Sequence, residues 1–214
     1  MLLCLPLVGL EIGVLWMGIG WLVRILQIPS MAAAVVLSAY PYFVTGFLHL
    51  DGFMDVTDAV KSWRDLERRR EILKDSHVGS FSVIAIVLLA LAQFGMFASV
   101  KETVDVRILM LIPVVSRCCS ALAVTALPPM STSQYASQKV SPMHILVLLV
   151  MLAAAVAGGF ALCGTYGFAL VGCMAGYGLA LRRAYKSLEG MNGDISGYSL
   201  TIAELCAVAV FALI

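Results

Sequence analysis

Apolar residues run through this chain in long blocks, and the polar positions collect between them. A membrane-spanning helix needs about 20 mostly apolar residues. Seven stretches qualify: 7–27, 31–49, 79–99, 107–127, 144–163, 165–181 and 199–214. The fifth and sixth are nearly continuous, and Gly164 is the expected division. The last two are short, so both are expected to extend into their flanks. The polar intervals are 50–78, 100–106, 128–143 and 182–198. Within the first, DLERRREILKDS (Asp65–Ser76) predicts a short helix at the membrane surface. Asp65 caps it, Leu66, Ile72 and Leu73 give apolar contact, and Gly79 follows. Pro128-Pro129 and the following STSQ predict an irregular loop. There is no tandem repeat and no low-complexity tract. The predicted fold is all-α: a polytopic transmembrane helical bundle of about seven spans, one integral-membrane domain over 1–214, with a cytoplasmic acidic/basic helical segment.

Composition strengthens that reading. Of 214 residues, 61% are hydrophobic and only 13% charged, with a mean hydropathy of +0.97. Soluble domains carry about 25% charged residues. The net charge of +1 matters less than its distribution, since 13 of the 27 charged residues lie between Asp51 and Asp75. With seven spans, intervals 50–78, 128–143 and 182–198 share one side and hold ten Lys/Arg. The other side has Arg24, Lys101 and Arg107, and Arg117 sits inside a span. The positive-inside bias makes the ten-base side cytoplasmic, and the expected location is the cytoplasmic (inner) membrane with the active site on the cytoplasmic side. Cys4, Cys118, Cys119, Cys163, Cys173 and Cys206 form no CxxC pair and read as small core residues. The first apolar run lacks a basic leader and a clear cleavage site, so it reads as a retained helix.

The candidate chemistry starts in HLDGFMDVTDAV, His49–Val60. Asp51, Asp55 and Asp58 fall at i, i+4 and i+7, within roughly 60° of a helix circumference. Like charges on one stripe repel. Either this is a solvated helix end neutralised by Lys61 and Arg64, or the acids hold a metal. They follow directly on the apolar FVTGFLHL, where clustered carboxylates are costly unless functional. Oxygen-only ligands suit Mg²⁺ or Mn²⁺, and Gly52 lets a bulky group approach the backbone.

Glu71 and Asp75 are i and i+4. They form either a second acidic wall, with Lys74 as a phosphate contact, or an exposed helix paired to Arg68 and Arg70. The run Arg68-Arg69-Arg70 reads as a membrane-surface anchor. In LEGMNGDISG, Leu188–Gly197, Asp194 lies among Gly190, Gly193 and Gly197. This is a flexible loop, or a place where the backbone closes on a phosphate. Glu11, Arg117 and Glu204 lie inside spans and are expected to face the interior. Arg117 either contacts an anionic substrate beside Ser116 or pairs with Glu11 or Glu204. His49 is a weak candidate base, and the sequence alone points to no role for His77 or His144.

LHLDGFMDVTDAV followed by ERRREILKDSHVGSF resembles the cobalamin synthase family, the adenosylcobinamide-GDP ribazoletransferases. That family carries LHLDG-x-x-D-x-x-D, here Leu48–Asp58, then ERR-x-x-I-x-KDS-x-x-G-x-F, here Glu67–Phe81. Its Ser-Arg pair is matched by Ser116-Arg117, and its C-terminal Gly-Asp by Gly193-Asp194 with Glu204 following. The chain departs from the family at Ala59 and Ser82, where Gly is usual, and at His77, where Arg is usual. PLVGLEIG, Pro6–Gly13, resembles a family segment usually preceded by a leader of a few tens of residues. That leader is absent here, which fits a short member or a truncated start.

The resemblance implies transfer of α-ribazole, or its 5′-phosphate, onto adenosylcobinamide-GDP with release of GMP, dependent on Mg²⁺. It implies that Asp51, Asp55 and Asp58 hold the metal, and that Asp75 and Asp194 add ligands or orient the nucleophile. Lys74 and Arg117 would stabilise phosphate charge, with His49 as candidate base. Gly52, Lys61, Ser76, Gly190 and Gly193 are expected along the substrate. The expected partners are the small-molecule substrates and the bilayer, with no nucleic acid. Other enzymes of cobalamin assembly or a second copy of the chain are further partners that membrane attachment would co-locate. Rival readings are an aspartate-rich prenyltransferase, a CDP-alcohol phosphotransferase and a transporter using Glu11, Arg117 and Glu204. The first expects a second aspartate-rich repeat. The second expects Ala-Arg soon after Asp-Gly. The third needs no triad of acids on one face.

Overall fold

The computed structural model describes residues 2–101, 104–130 and 142–214. Most of the expected loop after Pro129, including STSQ, lies outside these residues. The helices are α1 Leu5–Ile25, α2 Ser30–Val44, α3 Leu48–Lys61, α4 Leu66–Ile72, α5 Ser80–Ala98, α6 Ile108–Ala126, α7 Pro142–Cys163, α8 Phe168–Leu188 and α9 Gly193–Leu213. The described residues hold no strand, only one isolated parallel bridge between Pro129 and Met191.

Among the described residues, five helical stretches are long and apolar enough to cross a membrane. A sixth is added if α2 and α3, bent by 87°, form one broken span. One of the five stretches, Pro142–Leu188, has 47 residues and contains two arms. In a straight helix Gly159 and Leu170 would stand about 16 Å apart. Here the Leu170 side chain lies against Gly159, and the Phe160 and Phe168 rings pack 5.1 Å apart. The reversal falls at Gly164, whose φ of +57° suits glycine, followed by a 3-10 turn over Gly164–Gly167. The all-α bundle of about seven crossings is therefore borne out.

The expected boundaries shift in two places. The stretch 31–49 does not run through. Gly46 and Phe47 both have positive φ, which breaks the helix and starts α3 at Leu48. The last two helices do extend into their flanks: α8 reaches Leu188 and α9 starts at Gly193. The glycine-dense stretch is thus mostly helix, with Gly193 and Gly197 in the first turns of α9.

Helices α6 and α9 form the enclosed centre, and α1 and α5 are peripheral. Small residues bring the helices close, as expected where lipid supplies no hydrophobic drive. A Cβ on Gly9 would lie 2.5 Å from the Pro113 carbonyl oxygen, and one on Gly13 would collide with the Met110 carbonyl. Gly9-x-x-x-Gly13 therefore seats α1 on α6. Buried polar groups fasten α2. Trp16 Nε1 donates to the Leu37 carbonyl (2.9 Å), and Tyr42 Oη donates to Gln93 Oε1 (2.5 Å). The six cysteines are free thiols, as expected, but only Cys118, Cys163 and Cys173 are core residues; Cys119 and Cys206 are half-buried, and Cys4, at the chain's first turn, is exposed.

Candidate active site

Helix α3 carries Asp51, Asp55 and Asp58 on one face, and none of them makes an ion pair among the described residues. The solvated alternative, with Lys61 and Arg64 neutralising the acids by direct pairing, is not what forms. Asp58 spends its carboxylate on a neighbouring helix. Its two oxygens accept from the amides of Gly79 (2.8 Å) and Ser82 (3.0 Å). They thus satisfy orphan donors at the start of α5 and favour the positive end of its dipole. A Cβ on Gly79 would strike that carboxylate. Each oxygen keeps a further lone pair.

The start of α9 closes against α3. The ideal Cβ direction of Gly52 meets the Asp194 backbone at 2.9 Å, so the Asp51-Gly52 turn abuts Asp194 directly. Asp55 sits in the combined field of Asp51, Asp194 and Asp58. Asn192 was not singled out in the sequence, yet it organises this corner. Its side-chain oxygen accepts from Ile195 N (2.9 Å), capping α9, while its Nδ2 donates to Asp194 Oδ2 (2.7 Å). An Asn immediately before a helix start is the available signal. Gly190 packs against Met130, where a Cβ would lie 2.6 Å from the side chain. The close approach there is to protein. Gly193 is the first residue of α9.

Helix α4 is capped as expected: Asp65 accepts from Arg68 N (2.9 Å). It ends at Ile72, so the i, i+4 face of Glu71 and Asp75 does not form. Asp75 instead turns to His77, whose Nδ1 lies 2.7 Å away and whose amide donates to it at 3.0 Å. These hydrogen bonds hold the Asp75 carboxyl below its ordinary range, and they give His77 a partner. Arg68 pairs with Glu71 at 2.5 Å. The other arginines grip α8: Arg69 donates to the Ser187 carbonyl, and Arg70 to those of Leu188 and Glu189. They occupy the orphan acceptors and negative dipole end of α8. Lys74 and Ser76 are exposed on the link between α4 and α5. Lys61 is exposed and lines a separate pocket on the other side of α3.

Below the acids lies a buried polar group. Arg117 Nη1 is paired with Glu204 Oε1, and Ser116 Oγ donates to the same oxygen (2.9 Å). Arg117 Nη2 is buried and has no hydrogen-bond partner among the described residues. His49 lies in the field of this pair, and its carbonyl accepts from Thr201 Oγ1 (3.3 Å). Glu204, rather than Glu11, is therefore the partner of Arg117. Glu11 is exposed on α1.

Among the described residues, no three His, Cys, Asp or Glu side chains form a ready-made metal site. The donor chemistry still fits Mg²⁺. That ion is normally held by one or two carboxylates together with substrate phosphates, keeping several waters. Asp51, Asp55 and Asp194 supply hard oxygen donors at one corner, uncompensated by any cation.

The family model for cobalamin-5-phosphate synthase matches residues 1–212. The chain belongs to that family. An adenosylcobinamide-GDP ribazoletransferase of Clostridium perfringens is 38% identical over 216 residues, covering 98% of this chain and 85% of the relative. Proteins of the same name from Clostridium botulinum and Brevibacillus brevis are 33% and 31% identical, covering 96% of this chain and 83% and 84% of theirs. No solved structure matches. The family's acidic segment is thus α3, its Ser-Arg pair is held on α6 by Glu204, and its Gly-Asp opens α9.

Proposed function

We propose that this chain transfers α-ribazole, or its 5′-phosphate, onto adenosylcobinamide-GDP, giving adenosylcobalamin or its 5′-phosphate and GMP. The ribose 3′-hydroxyl attacks the phosphorus next to the cobinamide side chain. One P–O bond forms, the bond to GMP breaks, and the hydroxyl proton passes to a carboxylate. The observation that carries this reading is the close approach of the α9 start to α3, which sets Asp194 against Gly52 beside Asp51 and Asp55, with no ion pair to these acids among the described residues.

Phosphoryl transfer needs positioning and charge neutralisation more than covalent help. Asp51, Asp55 and Asp194 would hold Mg²⁺, with Asp58 in reach while it fixes α5. Bound with the diphosphate, the metal would neutralise charge on the reacting phosphoryl group and on departing GMP. Asn192 holds the Asp194 carboxylate in place. In this reading Lys74, Asp75 and Ser76 of the α4–α5 link would meet the substrate, with Lys74 offsetting phosphate charge. The unpartnered Nη2 of Arg117 and the ring of His49 back the site from below. The site faces the cytoplasm in this reading, because the base-rich end of the bundle is also the acidic-site end.

The test uses purified protein in liposomes with adenosylcobinamide-GDP, α-ribazole and Mg²⁺, following cobalamin and GMP by chromatography. Both products should form, and only with metal. Asp55→Asn should lower turnover by about 100-fold or more, the scale of losing one electrostatic group from such a site, with insertion and unfolding temperature unchanged. Metal-independent product, or full activity in Asp55→Asn, would remove the acids from the chemistry.

A further inference from the structure

A pocket lies across α3 from the acids, with a volume of about 160 Å³. Phe53 and Val60 of α3 and Ala85 of α5 give it an apolar base. Lys61, Arg183 of α8 and Tyr198 of α9 give it a polar rim. Lys61 and Arg183 are exposed, and neither makes an ion pair among the described residues. Arg183 instead acts on the Tyr198 phenol electrostatically. The Phe53 and Tyr198 rings stack at 5.7 Å and form one wall.

The surroundings are graded from charge to hydrocarbon. Leu179 stands one turn below Arg183 on the same stripe of α8 and is 70% exposed. Ile84 and Leu88 flank Ala85 on α5 and are 58% and 60% exposed. The site end holds the C-terminus of α8 and the N-terminus of α5. Leu179 and Leu88 therefore lie deeper in the membrane than the cations. Two unpaired cations at a rim, an apolar base and two apolar stripes running inward complement an amphipathic anion.

We propose that this pocket binds the phosphate headgroup of an anionic phospholipid in the leaflet on the side of the acidic site. Its acyl chains lie along the α5 and α8 stripes. The bound lipid packs against the face of α3 opposite Asp51, Asp55 and Asp58, and so holds the acid-bearing helix from behind. This goes beyond the proposed reaction and does not depend on it.

The test is lipid retention, read by native mass spectrometry of full-length protein released from nanodiscs of equimolar phosphatidylglycerol and phosphatidylcholine. Wild type should retain one phosphatidylglycerol in preference to phosphatidylcholine. Lys61→Gln and Arg183→Gln should each weaken retention roughly fivefold and the double variant roughly thirtyfold, the factors expected per cation near an anionic surface. Arg183→Lys should retain the lipid, which shows that the loss reflects charge rather than misfolding. Arg64→Gln, a base at the same end outside the pocket, should change nothing. Equal retention in the double variant, or equal loss in Arg64→Gln, would overturn the site. If wild type shows no preference for phosphatidylglycerol but binds labelled inorganic phosphate through Arg183, the anion is a soluble phosphate and the lipid proposal fails.

Discussion

Arg117 shows what a single charge costs inside a membrane protein. Its side chain and that of Glu204 are 4% and 5% exposed, so neither is hydrated. Removing one partner of a buried pair strands the other and costs about 3–5 kcal/mol, whereas replacing both with apolar groups is often neutral. Arg117→Met should therefore lower the unfolding free energy in detergent by about 3–5 kcal/mol. Adding Glu204→Leu should restore most of it. A double variant as unstable as the single one would mean that Arg117 is held for something other than Glu204, with its unpartnered Nη2 the first place to look. In the sequence Arg117 was legible as a charge in an apolar run, but its partner was not. Glu11 and Glu204 were equivalent until α9 was placed beside α6. Asp58 failed to declare its capping role for the same reason: Gly79 lies 21 residues away, and local spacing says nothing of which helix start a carboxylate meets. Asp51 and Asp55 were legible because acids at i, i+4 directly after an apolar run are costly unless they serve a function.

Helix packing through Gly9 and Gly13 went unread in the sequence, although their spacing carries the signal. Gly9 and Gly13 repeat at i, i+4 and meet the α6 backbone, while Gly18 on the same helix faces open space. Gly13→Ala should force α1 away from Met110, where backbone cannot yield, and sharply reduce folded yield. Gly18→Ala should be neutral or slightly stabilising, since alanine is the better helix former by about 1 kcal/mol. Comparable loss in both would show that α1 does not dock through this face. The measurement is thermal unfolding of the two variants in one detergent. Composition misled where it implied a loop. Gly190, Gly193 and Gly197 suggested loose backbone, but Asn192 starts a helix there, and Gly197 serves the approach of α9 to the His49 backbone. Likewise the i, i+4 argument for Glu71 and Asp75 failed because α4 is only 7 residues long. Periodicity cannot report where a short helix stops.

At the level of the bundle, charge is sorted by end. Arg70 reaches the α8 terminus and Asp58 reaches the α5 start, so the bases of 50–78 and of 182–186 gather at one end. Arg24 donates to the Val104 carbonyl and Arg107 to the Leu162 carbonyl, which places both at the other. Among the described residues, which leave out Lys139 of 128–143, the expected asymmetry of polar intervals survives, although the helix boundaries moved. It survives because each moved boundary kept its bases on the same end. By the positive-inside bias, the orientation we propose opens the acidic corner to the cytoplasm. In a Cys4→Ser background the remaining thiols are buried or half-buried, so single exposed cysteines report sidedness. Glu67→Cys, on α4, should resist a membrane-impermeant maleimide in intact cells and label after permeabilisation. Ser30→Cys, at the start of α2, should label from outside without it. The reverse pattern would put the acids on the outer face, away from the substrates, and the proposed reaction could not proceed in that orientation. Labelling of both from one side would instead mean that the α2–α3 break returns the chain to the leaflet it came from.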